Sequence, residues 1–194
     1  MTAPGPGARL LPAVHEPRVL RCGHYIAEKV SRHQALVLSH LVTGLNAIEI
    51  ADAVNSLPER SGGAAVTPDR VREYLNSLRV KVRARTWVQM VDTACRMKLL
   101  LPPRTELEEQ LPETVVHTLQ LSVDGCTNQQ IAAMRSISHN TAGKHLETIR
   151  YLTGTRSNPA AVFRLHGVVP GVLDSTCPMC PTGPANPLPP GQSR

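Results

Sequence analysis

The chain has 194 residues, 41% of them hydrophobic and only 3% aromatic: enough aliphatic material for a folded core, but too few rings for a large sandwich core or a stacking platform for single-stranded nucleic acid. Lys and Arg outnumber Asp and Glu by 21 to 15 and the pI is about 9.4, which puts polyanions among the candidate partners. No apolar run approaches the roughly 18 residues of a membrane helix, the first residues lack a signal-peptide core, and five cysteines are an odd number for a disulfide framework; a cytoplasmic protein with reduced thiols and no membrane partner is expected.

Residues 1–24 are rich in proline and glycine and read as a flexible segment. A helical block follows, 25–101. Ser31 opens a helix through Leu38 and Leu41 to Gly44, and Ile50 and Ala51 lie on the next. Thr67-Pro68 is a cap followed by proline at the first helical position, and Thr86 caps a fourth helix through Val88, Val91 and Ala94. "PPRTELEEQ", 102–110, is a proline-started acidic linker.

The second block spans 111–166. Leu111-Pro112 starts a helix carrying Val115, Val116, Leu119 and Leu121, which stops at Gly125. Thr127 caps a short helix with Ile131 and Met134; Ser138 caps a third, in which Ala142, Leu146, Ile149 and Thr153 share a face; Asn158-Pro159 starts a fourth with Ala161, Val162 and Leu165. Residues 167–194, ending "CPMCPTGPANPLPPGQSR", read as a proline-rich tail.

The two blocks follow one plan. Val71, Leu75, Leu78 and Val82 repeat as Ala142, Leu146, Ile149 and Thr153 at a constant shift of 71, and Gly44, Ile50 and Ala51 repeat as Gly125, Ile131 and Ala132 at a shift of 81. The ten-residue difference is an insertion in the first block near 55–65, within "NSLPERSGGAA". The chain is read as an internal duplication. Its expected fold class is all-α: two tandem four-helix helix-turn-helix domains with disordered Pro/Gly-rich termini.

Two short helices joined by a turn, the second polar away from its packed face, is the plan of a helix-turn-helix that lays its second helix in the DNA major groove. Within "LQLSVDGCTNQQIAAMRSISHNTAGKHLETI" and the following "TGTRSNPAAV", the order Gly, Thr-Asn, Ile-Ala, Ile-Ser, Thr, His, Ile and then Gly, Arg-Ser, Ala-Val resembles the LuxR-type (GerE-like) DNA-binding domain over about 55 residues. The first block is similar but more diverged, keeping "TGLNAIEIA" and the packing rhythm of its third helix. Val115, Ala142, Gly143 and Thr153 depart from the family's usual glutamate, β-branched, basic and leucine residues. The resemblance implies a bacterial, nucleoid-associated transcription regulator. It also implies dimerisation through the fourth helix, either as a homodimer or as a pseudo-dimer within one chain.

Helical geometry places groove-reading helices at about 67–83 and 138–152. Arg72 and Asn76 in the first, and His139, Asn140, Lys144 and Thr148 in the second, are candidates for contacting base edges, and Arg70 is a further candidate for DNA contact. Arg79, Lys81, Arg83 and Arg85, with Thr141, Arg150 and Arg156 in the second block, are candidates for phosphate contacts, which position a protein without reading sequence. The alternative for the basic run 70–85 is a solvated helix face. Cys177 and Cys180, with Cys22 and His24, supply ligand types for zinc; the alternative is free cysteines in mobile ends. No other cofactor is indicated. The sequence shows no phosphate-binding glycine loop, nucleophile elbow or metalloprotease helix, so an enzyme is not expected.

The functional expectation is a sequence-specific regulator bound to double-stranded DNA. The alternatives are an adaptor that binds a regulatory protein partner through degenerate helix-turn-helix domains, and an architectural or replication DNA-binding protein.

Overall fold

The computed structural model describes residues 30–57, 64–168 and 173. Among them are eight α-helices and no strand: α1 (Arg32–Leu41), α2 (Ala47–Asn55), α3 (Pro68–Lys81), α4 (Trp87–Arg96), α5 (Glu113–Val123), α6 (Asn128–Arg135), α7 (His139–Leu152) and α8 (Asn158–Leu165). The all-α fold class holds. The expected terminal segments outside these residues, the centre of the insertion, and Cys22, His24, Cys177 and Cys180 lie outside the described residues.

Local sequence explains where the helices begin. Ser31, Asn46 and Thr127 each form a reciprocal capping box, with Gln34, Glu49 and Gln130 respectively, so two backbone N–H groups are satisfied at each start. Thr67, Thr86, Ser138 and Ser157 cap α3, α4, α7 and α8 by accepting a backbone N–H near the helix start. The turns that follow α1 and α5 pass through Gly44 at φ 92° and Gly125 at φ 89°, a left-handed conformation that costs a glycine little.

Positions related by the two shifts are buried alike. Ile50 and Ala51 are buried on α2 as Ile131 and Ala132 are on α6, and Val71, Leu75, Leu78 and Val82 are buried as Ala142, Leu146, Ile149 and Thr153 are. Thr153 keeps its hydroxyl satisfied inside the core by donating to Ile149 O at 2.6 Å. The insertion leaves from and returns to one point, because Asn55 Nδ2 donates to Val66 O at 2.9 Å and Asn55 Oδ1 accepts from Val66 N at 2.8 Å. Under the shifts, Asn55 and Val66 correspond to the adjacent residues Ser136 and Ile137.

The two helix quartets do not stand apart. α4 packs against α8 and α5, and one buried apolar cluster runs from Leu38, Leu75 and Val91 into Leu119, Val162 and Leu165. A second, smaller cluster joins Ile131, Ala132 and Ala142 under α6. The acidic linker is strapped to this body: Thr105 N donates to Gly167 O at 2.9 Å, and Leu107 and Leu111 pack on the core. Gly167, Val168 and Leu173 are buried, so the start of the expected tail belongs to the folded body. Gly167 is needed there, because a Cβ would run into the Pro103 carbonyl oxygen.

Candidate nucleic-acid interface

Among the described residues α3 and α7 are the two longest helices, 14 residues each, and each turns its buried side to its own quartet. The opposite side of α3 exposes Asp69, Arg70, Arg72, Glu73, Asn76 and Ser77; that of α7 exposes His139, Asn140, Lys144 and Glu147, with Thr148 at its edge. Val80 and Tyr151 occupy equivalent positions and are 70% and 82% exposed, so each face ends in an apolar side chain offered to solvent.

Arg70 and Arg72 are held by neighbours on their own helix. Arg70 Nη1 lies 2.5 Å from Glu73 Oε2, and Arg72 Nη1 lies 2.5 Å from Asp69 Oδ1. These pairs are at least half exposed, and such pairs are exchanged readily for a phosphate or a base edge. Arg70 also lies over the Tyr74 ring, 4.9 Å from its centroid, and Tyr74 stacks on His33 of α1. The hydrogen bond that Arg70 donates to Glu73, and then the one to Tyr74, hold the guanidinium all the more firmly in its charged form.

Three of the expected phosphate residues have a bracing part instead of a free outward one. Arg79 Nη1 donates to Arg85 O at 2.9 Å and Arg150 Nη1 donates to Asn158 Oδ1 at 3.0 Å, so these equivalent residues each tie the end of the long helix to the segment beyond it. Lys81 is half-buried and donates to Gln34 Oε1 at 3.2 Å, while Gln34 Nε2 donates to Ser77 Oγ at 3.0 Å. Lys81 therefore turns back to α1. Arg83 and Arg85 are exposed in the turn after α3, with Arg83 at φ 54° where the second quartet has Gly154 at 59°; Arg156 is exposed after α7.

On α7, Thr141 closes the first turn by hydrogen bonds to Ser138, and Thr148 Oγ1 donates to Lys144 O at 3.0 Å. His145 turns inward. Its Nδ1 lies 2.9 Å from Thr118 Oγ1 and 3.2 Å from Arg135 Nη1, and Arg135 also donates to Thr118 Oγ1 and to Thr114 O, which knits α5, α6 and α7 together. Arg135 and Thr118 were not singled out from the sequence; a basic residue in the last turn of α6 was the available signal.

The two faces differ in charge. Between 69 and 85 there are six basic and two acidic side chains, against three and one between 140 and 156. Arg72 gives way to Gly143, Arg83 to Gly154 and Arg70 to Thr141, whereas Arg85 and Arg156 are basic in both. No group of three or more potential metal ligands occurs among the described residues. Burial, reinforced by Asp92, pushes the Cys95 thiol well up, and burial and then Asp124 raise that of Cys126, so both are protonated near neutral pH.

No described helix is long and apolar enough to cross a membrane. Comparison with protein-family models, with curated proteins and with solved structures found no match to this chain.

Proposed function

We propose that the protein is a sequence-specific double-stranded DNA-binding transcription regulator, acting at the nucleoid, with tandem helix-turn-helix units that present α3 and α7 to the major groove. One observation carries this reading. Two equal helices, each preceded by a short capped helix, bury the same four positions and leave polar faces with exposed Arg85 and Arg156 beyond their ends. Asn76, Asn140, Arg72 and Lys144 are the side chains offered to base edges, and Arg83, Arg85 and Arg156 those offered to phosphates.

A second reading, an adaptor for another protein, draws on the acidic partners of Arg70 and Arg72 and on the exposed Val80 and Tyr151. Binding to a random duplex pool across a salt series separates the two. The parent is compared with a variant combining Arg72→Ala, Arg83→Gly and Arg85→Ala, which spares the bracing Arg79 and gives position 83 the glycine of its counterpart. If Arg83 and Arg85 meet phosphates, the variant binds more weakly and its salt slope falls by up to about 2. Binding too weak to measure in both proteins at every salt supports the adaptor.

A further inference from the structure

We infer that the two reading helices engage an inverted pair of unlike half-sites from within one chain, which rests on the DNA-binding reading above. The quartets meet through contacts that exchange roles. The turn at Gly44 meets the start of α8: a Cβ on Gly44 would stand 3.4 Å from Arg156 Cβ and 3.8 Å from Ala160 Cβ. The turn at Gly125 meets the start of α4: a Cβ on Gly125 would stand 2.5 Å from Gln89 Oε1, and Gln89 Nε2 donates to Asp124 O at 3.2 Å. Gly44 corresponds to Gly125 under the shift of 81, and Gln89 to Ala160 under the shift of 71.

The same two positions therefore meet twice, with the quartets supplying opposite partners, while α4 packs on its own counterpart α8. Reciprocity of this kind is the mark of a two-fold rotation. A head-to-tail relation, which serial duplication equally allows, would bring two different surfaces together. α3 and α7 are thus related by a pseudo-dyad. Duplex DNA has local dyads across its axis, so readers related by a two-fold take their half-sites in inverted order and not as a direct repeat. The half-sites are unlike because Arg72, Glu73 and Asn76 on α3 stand where α7 has Gly143, Lys144 and Glu147.

The seam also argues for one chain per site. Asp92 of α4 is buried against His166, whose counterpart in the first quartet is Cys95. An α4 meeting the α4 of a second copy would offer Asp92 a thiol that burial keeps protonated, in place of an imidazole.

The test starts from duplexes selected by the full chain. The two half-motifs are recombined at fixed spacing in inverted and in direct order, and affinity and the number of chains per duplex are measured. The inverted order is expected to bind on the order of 100-fold tighter, because only there does the second contact form within the same complex, with one chain per duplex. Equal or tighter binding of the direct order, enrichment of a single half-motif, or two chains per duplex overturns the inference and leaves DNA recognition standing. Failure to enrich any motif overturns both.

Discussion

His166, the residue that closes α8, places Nε2 2.9 Å from Asp92 Oδ1 on α4, and Arg96 Nε lies 2.8 Å from the other carboxylate oxygen. All three side chains are less than a tenth exposed. Asp92→Asn keeps the shape but removes the buried negative charge that lies against Arg96 and His166. A loss of about 3 kcal/mol in denaturant unfolding is expected. An unchanged midpoint would mean that this cluster does not hold the seam.

The insertion is the subject of a second prediction. Deleting 56–65 joins Asn55 to Val66 as Ser136 is joined to Ile137, and Ser136 adopts φ 53°. Asparagine tolerates that left-handed conformation better than most residues. The shortened chain is expected to keep its helical circular dichroism and to unfold cooperatively. Loss of the cooperative transition would refute the equivalence of the two turns.

Much of the fold was legible because caps and apolar spacing are local signals. Ser31, Thr67-Pro68, Thr86, Thr127 and Ser138 announce their helices, and the shift of 71 carries a four-residue packing pattern that neither helix hides. Other features depend on partners distant in sequence. The Thr105–Val168 bridge is a single pair with no periodicity to reveal it. Helical spacing also gives only the direction in which a side chain leaves the backbone. Arg79, Lys81 and Arg150 are long enough to fold back onto Arg85, Gln34 and Asn158, so their bracing could not be read from position alone.

Gly143 gives a gain-of-function prediction. A Cβ there meets nothing within 4 Å, and the equivalent residue of α3 is Arg72. Gly143→Arg removes a helix-interior glycine, worth roughly 1 kcal/mol, and adds a positive charge to the proposed DNA face. Thermal stability and DNA affinity at low salt are both expected to rise, with a salt slope steeper by about 0.9. A higher melting temperature without tighter binding would place α7 away from DNA.

His40 makes stability depend on pH. It is 6% exposed, its Nε2 has no hydrogen-bond partner among the described residues, and burial lowers its pKa below the usual 6.5. The unfolded chain therefore takes up this proton at a higher pH than the folded one. Stability from this site is present above 6.5 and is lost as pH falls through the lower folded value. His40→Leu is expected to show a smaller fall in melting temperature between about pH 7 and pH 5 than the parent. Parallel curves for the two proteins would remove His40 from the account.

A transcription regulator of the proposed kind reads base sequence. The direct measurement is selection of random double-stranded DNA by the purified full chain at ~0.15 M salt, where phosphate attraction alone is weak, followed by sequencing of the bound pool. Enrichment of a defined motif, lost in the Arg72→Ala, Arg83→Gly, Arg85→Ala variant, is the predicted result. A bound pool indistinguishable from the input would contradict it.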